Sequence, residues 1–126
     1  MSLRTPLARV RGLGSAKEGT EHFWRQRLTA IANIVLVSYL IVLLARYAGA
    51  DFATVKTVLS RPYNSVALLL LIVSATIHMR LGMQTIIEDY VHSEGSKVAA
   101  LMLNTFFAIM VGVTCAFAVL KLSFGA

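Results

Sequence analysis

Three long apolar runs dominate the pattern of hydrophobic and polar positions along the chain. They cover residues 28–45, 66–87 and 98–120, and each has about the 20 residues that an α-helix needs to cross the hydrocarbon core of a bilayer. The first and third runs contain no charged residue, and the second contains only Arg80. None of them alternates strictly between apolar and polar residues, which excludes a membrane β-barrel. The pattern therefore predicts an all-α membrane protein with three transmembrane helices.

Signals for helix ends divide these spans from their connections. Ser60 is predicted to cap the second span, with Pro62 in its first turn. Gly95 is predicted to mark the stop between the second and third spans. The connection 47–59 carries apolar residues at helical spacing. It forms either a short helix at the membrane surface or an ordinary loop.

Composition agrees with a membrane protein and narrows its function class. Hydrophobic residues make up 57% of the chain and charged residues 14%, whereas soluble domains have about 45–50% and 25%. Since the three runs take up half of the 126 residues, few residues are left for a catalytic head outside the membrane, and we expect a membrane subunit of something larger rather than a self-sufficient enzyme. The single cysteine, Cys115, excludes an internal disulfide and a cysteine-based metal site. Basic residues do not alternate with aromatic ones on a polar surface, so we expect no nucleic-acid partner.

The distribution of the positive charges predicts an orientation. Seven Lys or Arg residues precede the first span or lie between the second and third, and four lie on the opposite side of the membrane. Cytoplasmic loops carry an excess of positive charge. We therefore predict a cytoplasmic N-terminal segment, residues 1–24, followed by a three-helix anchor domain, residues 25–126, with the C-terminus outside.

His78 is the most unusual residue inside a span, because polar groups in lipid are costly. It lies near the middle of the second run. It is either a histidine hydrogen-bonded to a neighbouring helix or an axial ligand of a metal or haem. Gly82 follows on the same face, and a position without a side chain lets a flat macrocycle approach the backbone. Met110, at a similar depth in the third span, is the one rival ligand.

A second group of polar residues lies at the membrane boundary. Asp89 comes eleven residues after His78, which returns it to the same face about 16 Å further along the helix. Tyr90 follows it, and Arg27 begins the first span at the same boundary. These three side chains either converge or belong to the belt of Tyr and Arg that is common at membrane edges. A transporter or channel protomer with a His78–Asp89 proton relay and a purely structural scaffold remain alternative functions.

Two segments resemble a known family. Residues 78–92 read HMRLGMQTIIEDYVH and residues 22–32 read HFWRQRLTAIA. They resemble the small hydrophobic membrane anchor of succinate dehydrogenase, which is respiratory complex II. The shared pattern is His, three residues, Gly-Met and then Asp-Tyr at the end of the second of three helices. The resemblance covers about residues 19–120 and suggests a bacterial member, a multi-pass protein of the inner (cytoplasmic) membrane.

The resemblance implies an anchor subunit of succinate:ubiquinone oxidoreductase, in the tricarboxylic acid cycle and electron transport; the anchor of a fumarate reductase is a close variant. It implies as partners the flavoprotein subunit, the iron–sulfur subunit and a second, cytochrome b-type anchor subunit, which shares a haem b with this chain through His78. It also implies that Tyr90 donates a hydrogen bond to ubiquinone and that Asp89 orients it. Arg27 is implied near the haem propionates and the quinone, and His22 near the propionates.

Overall fold

The computed structural model describes residues 5–12 and 18–125. Its helices are α1 Pro6–Val10, α2 Glu18–Arg46, α3 Phe52–Leu59, α4 Pro62–Tyr90 and α5 Glu94–Ser123. The long helices α2, α4 and α5 contain the three predicted spans and are apolar and long enough to cross a membrane. The all-α prediction with three spans is therefore confirmed. Part of the predicted N-terminal segment, including Arg4 and Lys17, lies outside the described residues.

The helix α4 occupies the centre of the bundle. It packs against α2 on one side and α5 on the other, and within the described residues α2 and α5 do not contact each other. Few apolar side chains are buried between the helices, and most large ones are exposed. Such extended apolar surface is covered in a membrane protein by lipid or by other subunits. The arrangement leaves α4 accessible from both open faces of the three-helix layer.

The connection 47–59 contains a short helix, α3, rather than only a loop. Asp51 caps it: its carboxylate accepts a hydrogen bond from the Thr54 backbone N–H at 3.3 Å and another from Thr54 Oγ1 at 2.5 Å. These two bonds, the side-chain one first, hold the pKa of Asp51 below its ordinary value. At the other end of the helix, Val58 is buried. The cap and the buried apolar side chain together explain why this segment is helical.

Two predicted helix boundaries were wrong. Ser60 ends α3, where its hydroxyl donates to the Thr57 carbonyl oxygen at 3.1 Å. The N-cap of α4 is Arg61, and Pro62 is its first residue, as predicted. Gly95 lies inside the first turn of α5. The preceding helix already ends at Val91, whose extended backbone (φ −94°, ψ 105°) breaks it without a glycine.

Polar contacts join the helices at the end of the bundle where α2 ends and α4 begins. Asn64 is only 1% exposed, and its Nδ2 donates to the Val58 carbonyl oxygen at 2.6 Å. Ser123 Oγ of α5 donates to Ser65 Oγ of α4 at 2.7 Å. These bonds connect α3, α4 and α5. The opposite end, where α2 begins and α4 ends, is called the N-terminal end of the bundle below.

Candidate functional site

The environment of His78 is formed by the interface between α2 and α4. His78 is half-buried near the middle of α4, and its ring Nδ1 lies 3.1 Å from Thr29 Oγ1 of α2. Ser74 Oγ, one turn earlier on α4, donates to the Thr29 carbonyl oxygen at 3.3 Å. Thr29 thus contacts α4 at two successive turns. The interpretation of His78 as a histidine hydrogen-bonded to a neighbouring helix is therefore confirmed for Nδ1.

The second ring nitrogen, His78 Nε2, has no partner in the described part of the chain. It makes no hydrogen bond there. It is also not one of the buried side-chain atoms that lack a hydrogen-bond partner, which means that it is accessible. It is therefore open to a group outside the chain, which is what an axial haem ligand requires. No cluster of three His, Cys, Asp or Glu side chains occurs within residues 5–12 and 18–125.

Gly82 lies beside the Gln26 side chain of α2. A Cβ built at this position would lie 3.3 Å from Gln26 Nε2 of α2. The glycine therefore allows α2 and α4 to approach closely beside the His78–Thr29 contact. The expectation that Gly82 also makes room for a macrocycle stays a prediction.

A stripe of polar residues on α2 was not identified from the sequence. His22 Nε2, Gln26 Oε1 and Asn33 Oδ1 are all enclosed without a hydrogen-bond partner in the described part of the chain. With Thr29 they recur every three or four residues, so they lie on one face of α2. The spacing of the polar positions in residues 22–33 could have revealed this stripe from the sequence alone. Buried polar groups are usually hydrogen-bonded, so these three atoms are exceptions on the face of α2 that carries Thr29.

The residues predicted to converge at the membrane boundary are not in contact with one another. Asp89 and Tyr90 are exposed at the end of α4, Tyr90 by 76%. Within the described residues the Asp89 carboxylate has neither an ion pair nor a hydrogen bond. The Arg27 guanidinium lies over the Phe23 ring, 4.5 Å from its centroid. This cation–π contact with a residue one turn earlier on α2 holds the arginine on its own helix.

The other face of α4 contacts α5. Arg80 Nε donates to Thr105 Oγ1 at 3.3 Å, and Asn104 Nδ2 donates to the Arg80 carbonyl oxygen at 2.9 Å. Arg80 therefore lies on the side of α4 opposite His78, and the Asn104 side chain bonds α5 to the backbone of α4. Met110 of α5 is 60% exposed. Its helix does not contact α2, which His78 faces.

Comparison with known proteins identifies the family. Residues 1–118 match the family described as succinate dehydrogenase/fumarate reductase transmembrane subunit. The succinate dehydrogenase hydrophobic membrane anchor subunit of Paracoccus denitrificans is 29% identical over 122 residues, which cover 97% of this chain and 94% of the relative. The succinate dehydrogenase membrane anchor subunit of Reclinomonas americana is 36% identical over 96 residues, 74% of this chain and 80% of the relative.

A relative from Rickettsia bellii, also a succinate dehydrogenase hydrophobic membrane anchor subunit, is 29% identical over 107 residues, which cover 85% of this chain and 86% of the relative. The family match extends across all of α2 and α4 and most of α5. It therefore includes the three helices that span the membrane and the interface around His78. The chain belongs to the succinate dehydrogenase and fumarate reductase transmembrane subunit family, as a membrane anchor subunit of succinate dehydrogenase.

Proposed function

We propose that this subunit supplies His78 as one axial ligand of a b-type haem that it shares with a cytochrome b-type sister anchor. The observation that supports this is the state of the His78 ring, whose Nδ1 is bonded to Thr29 while Nε2 is open to the outside. The residues present fit the group, because a half-buried imidazole at mid-span provides the donor that haem iron takes. When bound, such a haem supplies one-electron transfer within the complex.

The second axial ligand comes from another polypeptide. His22 precedes Thr29 by seven residues on α2, about 10 Å along the helix, and its Nε2 is enclosed. His92 lies beyond the end of α4, about 20 Å along the chain direction from His78. Met110 is exposed on a helix that does not contact α2. A haem held by His78 is therefore a link between two subunits, and His22, near the start of α2, is the residue that we propose lies near its propionates.

We infer that ubiquinone binds at the N-terminal end of the bundle. Tyr90 and Asp89 are exposed there, and neither side chain is engaged by the rest of the described chain. A phenol that donates to a quinone carbonyl polarises it and stabilises the negative charge that develops on reduction. The adjacent carboxylate of Asp89 orients the phenol and connects it to water. Arg27, whose helix begins at the same end, supplies positive charge to the quinone or to the propionates.

The surface beside Tyr90 suits an isoprenoid tail. Met83 and Ile87 precede Tyr90 on the same side of α4, and they border an apolar groove of about 350 Å³ between α4 and α5. The groove gives an apolar chain a path into the membrane. In the orientation that the positive charges favour, this end faces the cytoplasm of a bacterial cell, where the flavoprotein and iron–sulfur subunits dock on the anchor.

The proton-relay alternative has less support. The His78 ring is bonded to Thr29, and Asp89 lies about 16 Å further along α4. Within the described residues, no chain of hydrogen bonds connects the two side chains. Membership of a respiratory anchor family also counts against a transporter. We therefore propose one function, with succinate oxidation as the direction implied by the names of the relatives.

The test is a reduced-minus-oxidised spectrum of the complex purified through a tag on this chain. We expect a b-type haem together with a flavoprotein and an iron–sulfur subunit, and we expect His78→Ala to lower the haem content. His92→Ala is the matched control, because His92 is exposed outside the spans. A purified complex without haem, or an unchanged haem content in His78→Ala, contradicts the proposal.

A further inference from the structure

We propose that Thr29 is the positioning residue that holds His78 in the ring form able to bind iron. The inference rests on the proposed haem function and adds to it a residue of the opposite helix. Thr29 and His78 are 49 positions apart in the chain, and only the packing of α2 on α4 brings Thr29 Oγ1 within 3.1 Å of His78 Nδ1. The contact lies inside the membrane span, where few competing polar groups are present.

The Thr29 hydroxyl has a single hydrogen, and this decides which atom donates in the bond between Thr29 Oγ1 and His78 Nδ1. Thr29 Oγ1 lies 2.8 Å from the Arg25 carbonyl oxygen and 3.1 Å from the Gln26 carbonyl oxygen. A hydroxyl has one hydrogen, and these carbonyls can only accept, so the hydrogen is directed to the backbone of α2. The lone pairs of Oγ1 then face His78, and the His78 Nδ1–H donates to them.

This assignment fixes the state of the second nitrogen. A neutral imidazole carries one N–H, so a proton on Nδ1 leaves Nε2 with a free lone pair. That is the nitrogen which is open to the outside of the chain. Metal-bound histidines usually donate their other N–H to a partner that fixes both tautomer and ring orientation. Thr29 serves as that partner here.

Thr29 is itself held in place from three directions. Its hydroxyl bonds the preceding turn of α2, its carbonyl oxygen accepts from Ser74 Oγ, and its β-branched side chain has few rotamers in a helix. The close approach at Gly82 and Gln26, one turn away, keeps α2 and α4 near each other. The Thr29 hydroxyl oxygen, which accepts from His78 Nδ1–H, is thus already oriented toward the ring and does not belong to a mobile side chain.

The experiment compares Thr29→Val and Thr29→Ser in the purified complex. Valine keeps the shape and removes the acceptor, so we expect haem to be held about 10- to 100-fold more weakly, the usual effect of losing such a partner. We also expect a higher midpoint potential, because an accepted Nδ1–H makes the imidazole a stronger donor to ferric iron. Haem transfer to excess apomyoglobin and a redox titration measure the two effects.

Serine keeps the hydroxyl, so Thr29→Ser should restore haem retention and potential toward the wild-type values. Thr85→Val is the matched control, because Thr85 Oγ1 bonds only the Leu81 carbonyl oxygen of its own helix. If Thr29→Val does not assemble, Thr29→Cys, with a weak acceptor of similar size, replaces it with the same expectation.

Wild-type haem retention and midpoint potential in Thr29→Val would overturn the role of Thr29 while leaving His78 as a ligand. Equal losses in Thr29→Val and Thr29→Ser would also overturn it, since the hydroxyl would then not be the cause. Absence of haem from the wild-type complex overturns the proposed function itself, so the two failures are distinguishable.

Discussion

The Tyr39 hydroxyl donates a hydrogen bond to Asn64 Oδ1 across the interface of α2 and α4. The Asn64 amide nitrogen donates in turn to the Val58 carbonyl oxygen of α3. One buried amide therefore joins three helices, at the end of the bundle away from Tyr90. A buried amide of this kind stabilises a structure only while its partners are present.

This network predicts coupled losses of stability. Asn64→Ala leaves the Tyr39 hydroxyl without its partner and removes one of the two donors of the Val58 carbonyl oxygen, which also accepts from the Arg61 N–H at 3.3 Å. We expect a loss of about 1–3 kcal/mol in unfolding free energy. Tyr39→Phe should cost less, and the double variant should reveal a coupling of about 0.6 to 1.7 kcal/mol. Denaturation of the complex in mild detergent measures these values. Tyr63→Phe is the control, because the exposed Tyr63 bonds only Arg61; strict additivity would contradict the network.

Two glycines at helix contacts should respond differently to alanine. A Cβ at Gly112 would lie 3.2 Å from both Thr76 Cγ2 and Thr76 Oγ1, whereas at Gly82 it would meet the end of the flexible Gln26 side chain. Thr76 is β-branched and stiff. We therefore expect Gly112→Ala to destabilise the complex by about 1–3 kcal/mol through overpacking.

Gly82→Ala should be close to neutral, because alanine's higher helix propensity, about 1 kcal/mol, offsets the small shift of Gln26. Thermal unfolding of the two variants measures the difference. Gly95→Ala serves as a control, since nothing lies within 4 Å of a Cβ there. A larger loss of stability in Gly82→Ala than in Gly112→Ala would contradict this expectation.

The sequence was sufficient to predict where the membrane spans lie, but not how the helices contact one another. Hydropathy alone located α2, α4 and α5, because lipid imposes a long apolar run on each helix that crosses it. The ends were less predictable: Ser60 bonds backward to α3, and Gly95 continues a helix. Whether Ser60 or Gly95 begins, ends or continues a helix depends on which of the two neighbouring helices the residue joins.

The chemistry around His78 was predicted only in part. Its position at mid-span marked it as unusual, but its bond to Thr29 depends on the register of α2 against α4, which no local pattern specifies. The same register places Gln26 opposite Gly82. Arg27 and Asp89 begin and end neighbouring spans, yet the nearby ring of Phe23 holds the Arg27 guanidinium.

Tyr90 provides a test of the quinone site. Tyr90→Phe removes the phenol hydroxyl, and we expect quinone reduction to fall by one to two orders of magnitude, roughly the effect of losing one positioned donor. Assembly, haem content and succinate oxidation with an artificial dye should be unchanged. The exposed Tyr63 at the other end of the bundle gives the matched variant Tyr63→Phe, which should keep normal turnover. Normal turnover in Tyr90→Phe is the result that contradicts the assignment.

Arg27 is predicted to act at the same end of the bundle. Arg27→Leu should raise the apparent KM for quinone or shift the haem potential, because it removes a positive charge near both groups. Steady-state kinetics and a redox titration measure these effects. Arg25→Leu removes a charge from the same helix that is already paired with Glu21, so it should change neither value. Wild-type values in Arg27→Leu would show that the arginine serves only the charge balance of the membrane orientation.

The most direct test of the shared haem compares this chain expressed alone with the chain co-expressed with its cytochrome b-type sister anchor. Since Met110 lies on α5, which does not contact α2 in the described residues, and His22 Nε2 is enclosed, we expect the isolated chain in detergent to bind haem weakly or not at all. Co-expression should restore a low-spin spectrum, and ligation from both sides should stabilise the pair. A stoichiometric, six-coordinate low-spin haem in the monomeric isolated chain would contradict the account and would favour His–Met ligation through Met110.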